Sequence, residues 1–178
     1  SPFLPSSAPL LSRWVEALNA TGWSRTAVAD AALSSTPALK LQPESEQRPH
    51  KVSFHLEGGR DAAPSALKSL DSALDKLEFG TSVIYSGGVD IDVLPAGASK
   101  GAGLRFLLSE LASGVGVPEK GVVAAGDSGN DVELLAAGED EIEKEGGGKV
   151  GKTSVHAKCP PGVLVRGVVV ANAHPALR

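Results

Sequence analysis

Methionine is absent from this chain of 178 residues, cysteine occurs once, and aromatic residues make up only 4% of it. The single cysteine, Cys159, cannot form an internal disulfide, which is typical of proteins in a reducing compartment, so we expect a cytoplasmic location. No apolar run approaches the length of a membrane span, and no signal-peptide pattern is visible, so no membrane contact is expected. The absence of methionine leaves two explanations open: removal of an initiator residue, or truncation of a longer chain.

The overall composition is that of a folded protein that does not bind nucleic acid. Hydrophobic residues make up 42% of the chain and charged residues 21%, which is enough apolar material to bury a core. The 17 basic and 21 acidic residues give a net charge of −4. Because nucleic-acid binding needs clustered lysine and arginine, this balance argues against such a partner.

Residues 1–93 predict a small α+β domain. A first helix is expected to end near Gly22. Its packing face is expected to carry five apolar residues, namely Leu10, Leu11, Trp14, Val15 and Leu18. A second helix should begin after the cap Ser24, and a third at Pro64. Strands are expected at 39–41, 50–56, 81–85 and 90–94. The alternation of polar and apolar residues in 50–56 is typical of an antiparallel sheet that is covered on one face.

Residues 94–178 predict the strand–helix alternation of a doubly wound α/β fold. Ser99 is the expected N-cap of a helix whose leucines, at 104, 107, 108 and 111, should face the core. The apolar run 121–125 predicts a buried strand, followed by a polar turn and a helix at 132–137. Residues 138–162 are rich in acidic residues and glycine, fit neither pattern, and predict an inserted surface loop.

The turn at residues 126–131, with the sequence Gly-Asp-Ser-Gly-Asn-Asp, is the strongest functional signal. Open parallel sheets bind ligands at the carboxyl ends of their strands, where this turn is expected to lie. Asp127 and Asp131 supply oxygen donors of the kind that Mg²⁺ prefers, and N–H groups at a helix start favour an anion. Gly-Asp-Ser-Gly also surrounds the nucleophile of chymotrypsin-like proteases. Those are β-barrels usually stapled by disulfides, whereas this turn follows a strand and precedes a helix.

The same turn resembles the fourth motif of haloacid-dehalogenase (HAD) phosphatases, and three further segments narrow the resemblance. They are Glu-Gln-Arg-Pro-His-Lys-Val-Ser-Phe at 46–54, Ser-Gly-Gly-Val-Asp-Ile-Asp-Val-Leu-Pro at 86–95 and Ser-Lys-Gly at 99–101. All four segments occur in the order found in sucrose-phosphate phosphatases. The chain is therefore similar to that family. The resemblance implies an incomplete HAD-like core in 94–178 and a cap of the C2B type in 1–93.

The resemblance also implies an activity and the residues that carry it. The activity would be Mg²⁺-dependent hydrolysis of sucrose 6-phosphate to sucrose and phosphate. Asp127 and Asp131 would hold the metal, directly or through water, and Asn130 would contact the phosphate or its neighbours. Lys100 would screen the nucleophile and the phosphoryl oxygens. A lysine in the first turn of a helix is disfavoured by the helix dipole, and a bound phosphate would compensate for that.

In the cap, a cluster of side chains suited to sugar hydroxyls is expected to bind the substrate. Its members lie at a loop-to-strand junction and are Gln47, Arg48, His50 and Lys51. The partner implied is thus a sugar phosphate, and sucrose-phosphate synthase is a candidate protein partner.

Two further motif matches are rejected on their context. Asp90-Ile91-Asp92 begins like the first HAD motif, Asp-x-Asp-x-Thr, but its fifth residue is Leu94. Residues 146–153 match the P-loop pattern, but acidic residues rather than a buried strand precede them, and Pro160 ends any helix within two turns.

No Asp-x-Asp-x-Thr segment occurs in the sequence, so the family's nucleophile and general acid are missing from it. We therefore expect a fragment that is inactive alone and whose incomplete parallel sheet exposes apolar surface. Two alternatives remain open. One is another sugar-phosphate phosphatase of the same HAD subclass. The other is a non-catalytic module like the phosphatase-like tail of sucrose-phosphate synthase, which an upstream glycosyltransferase domain would favour.

Overall fold

The computed structural model describes residues 7–114, 116, 121–127, 131–137 and 159–169, and for residues 7–9 it describes the backbone alone. Among these residues the chain divides into two compact units. The antiparallel unit consists of residues 18–97. The parallel unit consists of the described residues within 7–17, 98–137 and 159–169.

Helices and strands follow one another along the chain in an order close to that expected from the sequence. In chain order the elements are α1 (Ser7–Asn19), α2 (Arg25–Ser35), β1 (Leu39–Leu41), a 3₁₀ turn (Glu44–Glu46), β2 (Val52–Leu56), α3 (Gly59–Leu74), β3 (Thr81–Ser86), β4 (Asp90–Pro95), α4 (Lys100–Ser113), β5 (Val122–Gly126), α5 (Val132–Leu135) and β6 (Val165–Val169). None of the helices described is both long and apolar enough to cross a bilayer.

The antiparallel unit is a four-stranded sheet with two helices packed on one face. Its strand order is β1-β2-β4-β3, and every neighbouring pair is antiparallel. Alternate residues of β2, namely Val52, Phe54 and Leu56, are buried against the helices, where Val28 of α2 and Leu70 of α3 are fully covered. The apolar side of the strand therefore lies in the core, as predicted, but Ser53 on the side predicted to be uncovered is fully buried as well.

Of the two helices packed on the antiparallel sheet, α2 starts at the predicted cap and α3 starts at a residue that was not predicted. The Ser24 side chain accepts the Ala27 N–H at 3.2 Å and so caps α2, as expected. The third helix, α3, does not begin at Pro64, which lies inside it. It begins five residues earlier, because Gly58 takes a left-handed conformation (φ +84°) that turns the chain out of β2. That part of the sequence prediction is wrong.

The parallel unit pairs β5 with β6 in parallel, with Val122 opposite Val165 and Gly126 opposite Val169. The helices α4 and α5 accompany this pair, which agrees with the predicted α/β architecture. The strand at 121–125 was expected to be buried, but Val123 is 68% exposed. Ala125, two residues along the same face of β5, is exposed as well, whereas Ala124 on the other face is buried, so only one face of this strand is covered in the described part of the chain.

The helix α1 groups with the parallel unit up to residue 17, whereas the sequence pattern assigned residues 1–93 to one small domain. The Trp14 ring lies 5.0 Å from the Phe106 ring of α4, and Arg13 forms an ion pair with Glu110 of the same helix. Leu11 is 63% exposed, so it does not belong to the packing face predicted for it. The other boundary between the two units falls between residues 97 and 98.

Candidate active site

An ion pair joins the start of α4 to the residue before α5. Lys100 is the first residue of α4 because Ser99 caps the helix, its side chain accepting the Ala102 N–H at 3.1 Å. The Lys100 Nζ lies 2.5 Å from Oδ1 of Asp131, a carboxylate that is almost fully buried. The lysine side chain as a whole is 53% exposed. The structure thus brings together two residues that the sequence singled out separately.

The second oxygen of Asp131 braces the turn that follows β5. Oδ2 accepts the backbone N–H of Asp127 at 3.1 Å. Both carboxylate oxygens of Asp131 are therefore already engaged, one by the lysine and one by the turn. Asp127, directly after β5, is exposed and can serve as an oxygen donor. In the part of the chain that the structure describes, no three His, Cys, Asp or Glu residues cluster as a metal site.

Two glycines permit this geometry, and neither was predicted from the sequence to be functional. A Cβ on Gly101 would lie 2.3 Å from the backbone oxygen of Glu133 in α5. A Cβ on Gly126 would lie 2.5 Å from the Cβ of Asp131. Backbone and carboxylate can approach this closely only where no side chain intervenes. Both glycines directly border a candidate residue, a position that could have drawn attention to them.

The helix after the turn is shorter than predicted. It runs only from Val132 to Leu135, whereas a helix over 132–137 was expected. Four residues align few peptide dipoles, so the anion site expected at this helix start gains no support. Asn130 lies outside the described residues, as do the P-loop-like segment 146–153 and most of the stretch 138–162.

Gln47, predicted to bind sugar, is instead a buried clamp on the backbone of the antiparallel unit. Its Nε2 donates to the carbonyl oxygens of Gln42 (3.0 Å) and Ser53 (2.8 Å), and its Oε1 accepts the Ser53 N–H at 2.9 Å. The side chain thus supplies hydrogen-bond partners to backbone groups that would otherwise be buried without them. With both ends of the amide used in this way, Gln47 has little left to offer a ligand.

The other three predicted cap residues remain near the surface but serve different local contacts. The Arg48 guanidinium donates to the carbonyl oxygen of Ser45 at 2.7 Å and is exposed. The His50 Nε2 donates to Oδ1 of Asn19 at 2.8 Å, and partial burial of the imidazole lowers the pKa of His50. The Lys51 Nζ forms an ion pair with Oδ1 of Asp92 on β4, at 3.5 Å. The four residues therefore have different partners in this structure.

Comparison with a solved structure establishes the fold. The sucrose-phosphatase of Synechocystis, solved in complex with sucrose and phosphate, superposes with a TM-score of 0.63 at 29% identity. The match covers 93% of this chain and 54% of that one. A parallel strand that ends in an acidic turn beside a lysine, together with a smaller α+β unit, defines a HAD-like α/β protein, and the predicted fold class is confirmed.

The sequence comparisons go one step further. Residues 6–142 match the family model of sucrose-6F-phosphate phosphohydrolase, and the chain belongs to that family. It is 46% identical over 123 residues to Probable sucrose-phosphatase 2 of Arabidopsis thaliana, which covers 69% of this chain and 28% of that protein. It is 30% identical over 157 residues to the mannosylfructose-phosphate phosphatase of Agrobacterium fabrum, covering 88% and 50%. The chain thus spans well under a third of the length of its plant relative.

Proposed function

We propose that this chain supplies the lysine, the acidic turn and the sugar-binding cap of a Mg²⁺-dependent phosphatase that hydrolyses sucrose 6-phosphate. The observation that carries the proposal is the contact between Lys100 and Asp131 next to the exposed carboxylate of Asp127, in a chain of this family. The ammonium group would attract a phosphate, and the neighbouring carboxylates would hold a cation that also binds that phosphate.

In this proposal Lys100 stabilises negative charge on the transferring phosphoryl group. Its Nζ is oriented by the buried Asp131, so the ammonium does not have to reorganise when the charge develops. Asp131 acts as a positioning residue, since its other oxygen fixes the backbone of the turn at Asp127. The Asp131 carboxylate thereby fixes the position of both the Lys100 ammonium group and the backbone at Asp127.

The oxygen donors of the turn fit Mg²⁺ in type. Asp127 would hold the ion directly because its carboxylate is exposed, and Asp131 would act through water because its oxygens already have partners. When bound, the ion would neutralise charge on the phosphate and orient it. Its remaining ligands would come from water, the substrate and other residues.

The nucleophile would have to come from another segment. Asp90 and Asp92 do not qualify, because they lie on β4 inside an antiparallel sheet rather than at the end of a parallel strand. An aspartate from an Asp-x-Asp-x-Thr segment would attack the phosphorus, and a longer polypeptide would supply it. We therefore expect these 178 residues alone not to release phosphate from sucrose 6-phosphate.

A second substrate is worth testing, because one relative is a mannosylfructose-phosphate phosphatase. The cap would select between the two sugars, since both contain fructose and differ in the hexose joined to it, glucose in sucrose and mannose in mannosylfructose. A panel of sugar phosphates assayed for phosphate release ranks the candidates by kcat/KM. A preference for sucrose 6-phosphate supports the proposal. A clear preference for mannosylfructose phosphate would identify that sugar phosphate as the substrate in place of sucrose 6-phosphate.

The test of the site uses a polypeptide that carries these 178 residues behind an Asp-x-Asp-x-Thr segment. Lys100→Met is expected to lower kcat about 100-fold or more, because one preorganised charge is lost. Asp127→Asn is expected to raise the Mg²⁺ concentration needed for half-maximal rate. The matched control is Lys68→Met, which removes an exposed lysine of α3. If Lys100→Met behaves like Lys68→Met, the proposed site is wrong.

A further inference from the structure

The strand β3 forms one edge of the antiparallel sheet, since among the described strands it pairs with β4 alone. The alternation of hydrogen bonds shows which of its backbone groups face outward. The Ala96 N–H donates to the carbonyl oxygen of Gly80 at 3.0 Å, so residue 80 faces β4. In an antiparallel pair every second residue faces the same neighbour, so the even-numbered residues of β3 face β4 as well. The backbone groups of Thr81, Val83 and Tyr85 therefore point away from the sheet, and we call these three the outward residues.

The outward residues have no backbone partner in the described part of the chain. No hydrogen bond there engages the N–H or C=O of Thr81, Val83 or Tyr85. The side chains of Ser82 and Ser86, between and beside them, are exposed, so the strand lies at the surface. A row of unpaired N–H and C=O groups is a template on which another strand can pair.

The two edges of the sheet differ in how they are protected. The opposite edge, β1, is only three residues long, and the 59% exposed side chain of Lys40 at its centre forms an ion pair with Glu57. A short strand and a charged side chain are the usual protection of a sheet edge. By contrast, β3 has six residues, Thr-Ser-Val-Ile-Tyr-Ser, without a charge, a proline or a glycine. Its β-branched and aromatic residues favour strand pairing. Of these two edges, β3 is therefore the one suited to accept a further strand.

The outward residues are arranged symmetrically about Val83, which makes the strand complementary to itself. When a second β3 runs antiparallel with Val83 facing Val83, Thr81 of each copy lies opposite Tyr85 of the other. All three donors and all three acceptors of each strand then have partners. A shift by two residues leaves one outward residue of each copy unpaired, and a shift by one brings outward groups opposite groups already bonded to β4.

The side chains of β3 are compatible with this register. It places Ser82 of each copy opposite Ile84 of the other, and Val83 beside Val83. Because β3 carries no charged side chain, two copies can approach without placing like charges opposite each other. A twofold arrangement of this kind uses the same surface on both copies, so the assembly is complete at two chains.

We propose that the β3 edge is a docking surface for a second copy of this chain, in which two β3 strands pair antiparallel about Val83. The four-stranded sheet of each copy then continues into that of the other. Neither Lys100 nor Asp131 takes part, so this inference is independent of the proposed function.

The experiment measures the mass of the 178-residue chain by sedimentation velocity over the micromolar concentration range, where a dimer is expected to form. Ser82→Lys should raise the dimer dissociation constant about tenfold or more, because the two introduced ammonium groups become diagonal neighbours across the pairing. Ser82→Glu should do the same. An equimolar mixture of the two variants should dimerise again, because opposite charges then meet. The control pair, Ser69→Lys and Ser69→Glu, alters an exposed serine of α3 and should leave the dissociation constant unchanged.

A second measurement covers the case in which a variant folds poorly. In the unaltered chain, the amides of Thr81, Val83 and Tyr85 should exchange with solvent about tenfold more slowly at the highest concentration than at the lowest, as followed by NMR. The Leu41 amide, on the other edge of the sheet, should not change.

Three results would overturn the inference. The first is a chain that stays monomeric, with β3 amides that exchange at the same rate at every concentration. The second is a dimer that both Ser82 variants retain, since association would then use another surface, such as exposed Val123 and Val168. The third is an assembly that grows beyond two chains, because pairing about a twofold axis closes.

Discussion

A methyl group at residue 101 should force α4 away from α5, whereas the same methyl group two residues later should be harmless. A Cβ at Gly101 would lie 2.3 Å from the Glu133 backbone oxygen and 2.5 Å from its carbonyl carbon. These are backbone atoms, which cannot rotate aside as a flexible side chain would. A Cβ at Gly103, in the same helix, would meet nothing within 4 Å. The chain therefore provides its own matched control.

The magnitude follows from two opposing effects. Replacing glycine by alanine inside a helix stabilises it by about 0.5–1 kcal/mol, and this gain applies to both positions. Overpacking costs about 1–3 kcal/mol, and it applies to Gly101→Ala alone. Gly103→Ala should therefore raise the free energy of unfolding by about 0.5–1 kcal/mol. The difference between the two variants cancels the helix propensity and should be about 1–3 kcal/mol.

The assay is urea unfolding followed by tryptophan fluorescence in a Trp23→Phe background. Trp14 then reports on the parallel unit, because its ring lies against Phe106 of α4. A Gly101→Ala variant as stable as Gly103→Ala would refute the argument that the close approach of α4 and α5 depends on glycine. In the longer polypeptide, Gly101→Ala should also lower kcat, because the displaced helix carries Lys100 away from Asp131.

Three further predictions concern the antiparallel unit, whose unfolding Trp23 reports because its ring packs against Phe79. Gln47→Ala should lower the free energy of unfolding by about 2–3 kcal/mol, since buried backbone groups lose their partners. The exposed control Glu46→Ala should change it by less than about 0.5 kcal/mol. Equal losses in the two variants would contradict the stabilising role of the Gln47 hydrogen bonds. Ser24→Ala should cost about 1 kcal/mol through loss of the helix cap, and no loss in the same unfolding assay would mean that the cap does not stabilise α2. The pKa of His50 is lowered below 6.5 in the folded state, so the unfolded chain binds more protons near that pH. The free energy of unfolding should therefore fall as the pH drops from about 6.5 toward the folded-state pKa. His50→Gln should make the free energy of unfolding less dependent on pH in this range, and an unchanged dependence would mean that another group causes it.

The sequence predicted best where a local rule decides the structure. Ser24 and Ser99 were identified as caps because a hydroxyl before an apolar-periodic segment satisfies helix N–H groups, whatever the rest of the fold does. The strand around Phe54 followed from its alternation, because a sheet covered on one face requires that pattern. These inferences need no knowledge of distant residues.

The sequence predicted least well where a distant contact decides. Val123 lies in an apolar run, but its exposure depends on what packs over that face of β5, and a run of residues does not reveal that. Gln47 was taken for a ligand-binding residue because amides suit sugars. Its actual role arises from the path of the chain past Ser53, which only the fold defines. The contact of Lys100 with Asp131 could be anticipated only through the family resemblance, since no spacing rule joins residues 31 positions apart.

The strand order of the antiparallel sheet has a consequence for how often its backbone opens. Because β2 and β4 are the inner strands, their N–H groups are flanked by neighbours on both sides, while β1 and β3 form the edges. Deuterium should therefore enter β2 and β4 last, after the edges have exchanged. The hydrogen bonds of Gln42 with Asp90 and of Ser53 with Asp92 thus lie on the slowest-opening part of the sheet.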